Sequence, residues 1–330
     1  MTETTMKKEQ TKPGIMDKIQ AFRKRYSEST LMAILVAFII IMSFASDRFL
    51  TLTNIANLLR STSIVGVAAV GMTFVIITAG IDLSVGSILG LSGVVAALFM
   101  TSGVPIFVSV LGAILCGTVV GVIQGWVIHK GNVPPFIATL AGMMIIRGGV
   151  MLITGANMVS GLPKSFRSFA TAEILGLPAV FFIWVAVLVL GAFIAKYTKF
   201  GRNIYAIGSN QEAARLSGIN IQKNIVAVYG FCAFTASIAG ILFLIRLGNG
   251  LPSAGTGYEM DAVAAAVVGG ASLAGAEGSI LGTFLGAIII AMIRNGGNLL
   301  GINPFILNII VGSLIVIAVL LDQKSKKQGK

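Results

Sequence analysis

Charge is what this sequence has least of. Only 11% of its 330 residues are Asp, Glu, Lys or Arg and 56% are hydrophobic, where a water-soluble domain carries roughly a quarter charged residues. A chain this poor in charge cannot clothe an aqueous surface, so its main solvent is lipid. Cysteine is scarce too. Cys116 and Cys232 both lie inside apolar runs, which argues against a disulfide framework or a cysteine metal site. The single histidine, His129, stands beside Lys130 in a polar turn and reads as an ordinary solvated residue. The chain has no Gly-x4-Gly-Lys-Ser/Thr phosphate loop, so it cannot cradle a nucleotide in that way. No nucleophile, base and orienting group are spaced as a set, and an enzyme is the last reading to choose.

What the sequence has in abundance is apolar runs. A helix needs about 20 apolar residues to cross a bilayer, and runs suited to crossing lie near Leu31 to Ser46, Thr62 to Thr78, Ser84 to Thr101, Val104 to Ile128 and Pro135 to Thr154. Five more follow near Leu177 to Ala195, Ile225 to Leu244, Asp261 to Gly275, Ile280 to Asn295 and Ile302 to Leu321. The expected fold is an all-α polytopic membrane protein with about ten transmembrane helices. Leu31 to Ser46 lies behind 30 mostly polar residues and lacks a small-x-small cleavage site, so it reads as a first helix and not as a signal peptide.

The formal charge is +12, but its distribution fits a bilayer better than a nucleic acid. Lys7, Lys8, Lys12, Lys18, Arg23, Lys24 and Arg25 precede the first run, and Lys324, Lys326, Lys327 and Lys330 follow the last. The polar stretch Lys196 to Lys223 adds five more cations. By the positive-inside bias these segments, and both termini, belong in the cytoplasm. Arg48 and Arg60, beside an outside turn, fit this scheme least. No basic stripe interleaved with aromatics offers itself to a nucleic-acid backbone. The organisation expected is a cytoplasmic basic segment over 1–30, a transmembrane domain over 31–321 with a cytoplasmic loop at 198–223, and a cytoplasmic basic tail over 322–330.

Gly86-Ser-Ile-Leu-Gly90 reappears as Gly278-Ser-Ile-Leu-Gly282, six crossings later by this count, which would make a parallel repeat. Small residues four apart let helix backbones approach closely in lipid. Gly117, Gly121 and Gly125 form one such ridge and Gly278, Gly282 and Gly286 another, both expected to pack within the subunit.

Three segments are candidates for function. In Gly80-Ile-Asp-Leu-Ser-Val-Gly86, glycines flank Asp82 and Ser84 between two apolar runs. A carboxylate at membrane depth is expensive and usually functional or paired, so a helix break that lines a path and an Asp82 that caps the next helix are both open. The stretch from Val267 to Ser279 contains Gly269, Gly270, Gly275 and Gly278 with Glu277, and so many glycines predict a turn or re-entrant segment. In the polar stretch, Ser209 or Asn210 can cap a short helix through Glu212, Ala213 and Ala214 to Leu216, ending near Gly218. That helix is too short to stand alone in water. Arg147, Arg246 and Arg294 are expected to snorkel from helix ends.

Taken together, Gly71 to Gly86, Pro135-Phe-Ile-Ala-Thr-Leu140, Phe200-Gly-Arg through Ser217-Gly-Ile219, Val268-Gly-Gly and Asn298-Leu-Leu-Gly-Ile resemble the permease subunits of ribose-type sugar importers of the ATP-binding-cassette class. The resemblance implies a bacterial inner-membrane protein that works as a homodimer in the lipid, with a cytoplasmic ATPase and an extracytoplasmic sugar-binding protein. It implies no cofactor on this chain, with ATP and magnesium held by the ATPase, and makes Asn210 to Gly218 the coupling helix that docks on it. The family usually has a second Gly and often a small or basic residue where this chain has Ala276 and Glu277, which leaves the role of that turn open. The main alternative is a proton-coupled secondary sugar transporter with Asp82 as relay, and a passive channel comes third.

Overall fold

The computed structural model describes residues 27–328; the basic residues of the first segment up to Arg25 lie outside them. The described chain is α-helical apart from short connections and one two-residue hairpin, Glu173–Ile174 with Leu177–Pro178. In chain order its helices are α1 (Ser27–Ala45), α2 (Leu52–Ile77), α3 (Val85–Thr101), α4 (Ile106–Lys130), α5 (Pro135–Thr154), the short α6 (Lys164–Arg167), α7 (Ala179–Tyr197), α8 (Lys199–Ser209), α9 (Gln211–Leu216), α10 (Ile221–Leu247), α11 (Tyr258–Val268), α12 (Ile280–Leu299) and α13 (Pro304–Gln328).

Local chemistry sets the ends of these helices. The side chains of Thr51, Thr198, Asn210, Asn220 and Ser279 accept the first free N–H groups of α2, α8, α9, α10 and α12, removing donors that lipid could not satisfy. Pro135 and Pro304 open α5 and α13, where a missing N–H costs nothing. Inside the helices, hydroxyls return to the preceding turn: Thr73 to Ala69 O, Ser92 to Ile88 O and Ser237 to Ala233 O.

Among the described residues, eight helices are long and apolar enough to cross a membrane: α1, α2, α4, α5, α7, α10, α12 and α13. Each of the ten expected runs holds a helix, but two of the helices are short. α3 has 17 residues and α11 has 11, so α11 covers only about 16 Å at 1.5 Å per residue. The expected crossing Asp261 to Gly275 is therefore a half-helix that stops at Val268. The rest of that passage is the non-helical segment 248–257 before it, not the Gly-rich turn after it. The last helix continues past Leu321, into the expected tail.

Contacts fix the directions of the helices. Gly71 of α2 packs on Cys232 and Gly80 on Tyr229, so α2 and α10 are antiparallel. Thr73 meets Thr283, and Asn54 and Asn295 exchange amide hydrogen bonds of 2.8 and 3.1 Å, making α12 antiparallel to α2 as well. Followed through every neighbour, α1 to α5 alternate in direction, and α7, α10, α11, α12 and α13 repeat the same series with each direction reversed. Long buried helix, break, short helix, long helix, long helix occurs twice as an inverted repeat. The five-residue echo is not part of it: Gly86 opens α3, whose counterpart is α11, whereas Gly278 precedes α12. The expected parallel repeat is thus overturned, and the matching serines do different work: Ser279 caps α12, whereas Ser87 lies inside α3 and bonds Met143 O of α5.

The alternation puts residue 27, residue 328, the end of α4 and α8 with α9 on one side of the bundle, as the threading of charges requires; His129 and Lys130, expected in a turn, form the last helical turn of α4. Arg60, on the opposite side, has a carboxylate partner, Glu173, at 3.8 Å.

The glycine ridges work as expected within the subunit. A Cβ on Gly125 would come within 2.8 Å of Val226 Cα, and Gly117 and Gly121 press as closely on Ser237 and Ala233 of α10. Gly282 and Gly286 do the same against Gly269 and Ala265. In lipid, where apolar burial drives little, backbone approach of this kind replaces it. Large apolar side chains such as Leu115, Ile145, Leu152 and Ile309 remain exposed on the outer helices, as a lipid-facing surface demands.

Candidate functional site

The chain leaves helical geometry at two points within the bundle. The first break, residues 78–84, carries Asp82, which is completely buried. Its Oδ1 accepts the Ser84 N–H at 2.9 Å and lies 2.6 Å from Ser84 Oγ, an Asx-type turn that feeds α3. Asp82 thus organises the entry to α3, although the cap position itself is Ser84, whose side chain bonds no helical N–H. Ser84 Oγ also lies 2.9 Å from Gln124 Oε1 of α4. One hydroxyl hydrogen serves only one acceptor, so a turned Gln124 amide, with Nε2 donating to Ser84 Oγ, completes the set. Thr139 of α5 donates to Ile81 O at 3.2 Å, and Ser87 donates to Met143 O at 3.0 Å. Gly142 of α5 leaves room for the Gln124 side chain.

Three polar atoms of this cluster have no hydrogen-bond partner among the described residues: Asp82 Oδ2, Tyr229 Oη of α10 and the Gln124 amide atom that points away from Ser84. Gly80 packs on the Tyr229 hydroxyl, where a Cβ would come within 2.6 Å of it. Cys232, fully buried on α10, packs one turn along from Tyr229 against Gly71. Buried polar groups in native folds find partners in protein or ordered water, so the break is a polar island in an apolar core.

The second break, residues 248–257, follows α10. Gly248, Gly255 and Gly257 take positive φ of 69°, 77° and 86°, and Gly250 forms an isolated bridge with Val159. Arg147, midway along α5, donates through Nη1 to Pro252 O at 3.1 Å and Ala254 O at 2.5 Å. Glu259 in the first turn of α11 accepts the Gly257 N–H at 3.1 Å. The breaks touch, since Gly255 packs on the Gly86 backbone and Gly90 on Ala254 O. The N-termini of α3 and α11 therefore both lie inside the bundle, with Asp82 just ahead of one and Glu259 in the first turn of the other. Carboxylates are favoured at those positive helix ends, which helps explain acidic groups at this depth.

Neither Arg147 nor Arg294 snorkels. Arg294 of α12 binds Asp261 of α11 through Nη2 at 2.5 Å and Asn308 of α13 at 3.1 Å, an internal ion pair between helices. Both arginines spend donors on protein groups.

The polar stretch forms two helices, α8 and α9. Asn210 Oδ1 accepts the Ala213 N–H at 2.9 Å, α9 ends at Leu216, and Gly218 follows at φ +82°, as the capping pattern predicted. Ala214 is buried against its own subunit while Glu212, Ala213 and Leu216 face outward. Arg215 bonds Glu212 at 2.5 Å and holds its carboxyl below the usual range. An open cleft of about 550 Å³ lies beside α9, lined by His129, Glu212, Arg215 and Asn220.

The Gly-rich turn after α11 completes the arrangement. Gly270 and Gly275 take φ of 94° and 87°, and Ala276 takes 63°, a left-handed position that an ordinary side chain occupies only at a cost. Glu277 is exposed, as a solvated turn residue should be. Its backbone O accepts from Ser272 N, and Ser272 Oγ bonds Asp322 of α13 at 2.7 Å. Gly278 precedes the Ser279 cap of α12. The Ala276 N–H donates to Ile77 O, the end of α2, at 2.9 Å. Gly208 of α8 packs directly on the same Ile77 carbonyl, leaving no room for a Cβ. Tyr205 of α8 donates to Gly278 O at 2.7 Å, and burial pushes its phenol above the usual range. The edge of the first break thus meets the turn through Gly275 on Ala79 and through Ala276 N and Gly278 on Ile77, and α8 rests on both; Gly269 and Gly270 instead pack on α12 and close the turn, while Gly86 packs on the second break. Gln124, Tyr229, Cys232, Glu259, Tyr205 and Gly208 are additions that the sequence reading missed, and Arg147, named there as a residue that snorkels, belongs with them. Polar residues within apolar runs, Gln124 and Arg147 above all, were the available signal.

Residues 54–319 match the family described as branched-chain amino acid transport system / permease component. Among curated proteins, the ribose import permease protein RbsC of Escherichia coli (strain K12) is 43% identical over 303 residues, covering 91% of this chain and 94% of that protein. RbsC of Bacillus subtilis (strain 168) is 42% identical over 289 residues, 87% and 89% of the two chains. The D-allose transport system permease protein AlsC of Escherichia coli (strain K12) is 37% identical over 308 residues, 93% and 94%. No solved structure matches. With apolar crossings, an inverted repeat and similarity along nearly its whole length, this chain belongs to that permease family and is a multi-pass membrane permease subunit of the ribose importer type.

Proposed function

We propose that this chain is the membrane-spanning subunit of an ATP-driven importer for ribose or a similar monosaccharide in the bacterial inner membrane. It forms the translocation path as one of two copies, receives sugar from an extracytoplasmic binding protein and couples to a separate cytoplasmic ATPase. ATP and magnesium belong to that ATPase, and this chain carries no cofactor. The face bearing residue 27, residue 328 and α8 with α9 is cytoplasmic, which gives residues 198–223 their role as coupling loop and leaves 1–30 and 322–330 as basic flanks beside it.

The observation that carries this reading is the seating of α8 and α9. A capped six-residue helix presents Glu212, Ala213 and Leu216 outward, while the helix before it rests on Ile77 O at the edge of the break that holds Asp82. A push on α9 has a rigid route into the bundle, and a secondary transporter needs no such projecting helix. The sugar comes from the relatives, whose names specify ribose, allose and, in two further cases, xylose. Glu212→Lys places two cations three residues apart on α9 and removes its ion pair, without touching the core. It should lower co-purification of the candidate ATPase at least tenfold while membrane insertion stays normal. Undiminished co-purification would argue that α9 is not the docking element.

A further inference from the structure

We infer that Arg147 and Glu259 form a hydrated contact site, midway through the membrane, for the hydroxyl groups of a neutral polyhydroxylated substrate; it rests on the permease reading above. A charge at the centre of a crossing is costly unless it faces protein or water. Arg147 sits midway along α5 and Glu259 opens the half-helix α11, yet both side chains are only partly buried. Both approach α3, yet among the described residues they form no ion pair within 4 Å.

What holds them apart is backbone. Arg147 Nη1 is fixed on Pro252 O and Ala254 O beside Gly90, and Glu259 Oε1 is fixed on Gly257 N while its Oε2 lies against Gly86. Gly86 and Gly90 are one turn apart on α3, so the guanidinium and the carboxylate stand either side of that turn. Arg147 Nε and Nη2 make no hydrogen bond among the described residues. Ser253 and Thr256, on the loop between the two charges, are exposed. An unjoined cation and anion at this spacing form a ready receptor for vicinal hydroxyls. Each hydroxyl accepts from a guanidinium N–H and donates to a carboxylate oxygen. The pair adds no net charge, which suits an uncharged sugar and disfavours an ion of either sign. The glycines at positions 86, 90 and 255 allow the backbones to meet here, which larger residues would block, and Gly257 takes the left-handed turn that leads into α11.

The test uses the full chain assembled with its ATPase and binding protein in vesicles. Glu259→Gln keeps the shape and the acceptor for Gly257 N–H but removes the charge. Ribose uptake should fall at least tenfold while binding-protein-stimulated ATP hydrolysis stays within about twofold; unchanged uptake overturns the inference. Absence of uptake by the unaltered chain would instead count against the parent reading. A second measurement stands independently of that variant. Ser253→Cys, with the parent chain as control for Cys116 and Cys232, should react in the membrane with a charged, water-soluble thiol reagent, and saturating ribose during turnover should slow the reaction at least threefold. A thiol at position 253 that the reagent does not reach would place the loop against lipid or packed protein and exclude a hydrated site.

Discussion

Valine in place of Gly208 is expected to abolish ATP-driven uptake, by at least a hundredfold, in a protein that still inserts and still binds its ATPase. The side chain has nowhere to go, because even a Cβ would overlap the carbonyl oxygen of Ile77 and come within 2.7 Å of Ala276 N. Overpacking of this kind typically costs about 1–3 kcal/mol, here released by lifting α8 off the end of α2. The outward face of α9, the proposed docking surface, is left intact. The loss therefore falls on transmission and not on docking. The measurement compares ATPase co-purification with sugar uptake for the same preparation. Gly208→Val with normal uptake would break the proposed route from α9 to the Asp82 break, and joint loss of binding and uptake would show that α8 and α9 do not move as separable units.

The second large effect concerns Asp82, where two substitutions should part company. Asp82→Ala removes the acceptor for Ser84 N and Ser84 Oγ at a fully buried turn. A buried donor left without its acceptor costs roughly 1–3 kcal/mol, and uptake should fall at least tenfold with reduced stability in detergent. Asp82→Asn retains an acceptor at the Oδ1 position, and its amide nitrogen would take the place of Oδ2, an atom without a partner among the described residues, beside the equally unpartnered Tyr229 hydroxyl. Its uptake should stay within about threefold of the parent. A proton relay would give the opposite pattern, since an amide cannot carry the proton, and Asp82→Asn would then be as inactive as Asp82→Ala.

Much of this architecture was legible in the sequence, for physical reasons that particular segments make plain. Run lengths set by bilayer thickness located every crossing helix, and side-chain capping located α9, with Asn210 at its start and Gly218 at its end. The glycine ridge of α4 was legible because only close backbone contact explains it. The second break was not. Gly-Asn-Gly-Leu-Pro-Ser-Ala-Gly-Thr-Gly over 248–257 reads as an aqueous turn, while the Ala- and Val-rich sequence after Asp261 reads as a full crossing. The true helix is only Tyr258–Val268 because the turn dips into the bundle, and that placement depends on Arg147, far away in the chain, holding Pro252 O and Ala254 O. The inverted repeat was hidden for a related reason. Lipid constrains residue class and not identity, so the two halves share element lengths and directions without shared words, and the one shared word, around Gly86 and Gly278, misled.

At the first site, the sequence pointed to Asp82 and Ser84 but not to Gln124, Tyr229 or Cys232, since their convergence is tertiary. Ala276 and Glu277, where the resemblance led to a glycine and a small or basic residue being expected, resolve differently from each other. Glu277 is solvated, whereas Ala276 occupies a left-handed backbone position that glycine would fill without strain, and its N–H is the link to Ile77.

The most direct test of the account is sugar uptake by vesicles that contain this chain with its candidate ATPase on one face and the sugar-binding protein on the other, energised in turn by ATP and by a proton gradient. The account predicts accumulation of labelled ribose or a related monosaccharide only with ATP and only when all three proteins are present. Uptake by the chain alone under a proton gradient would contradict it.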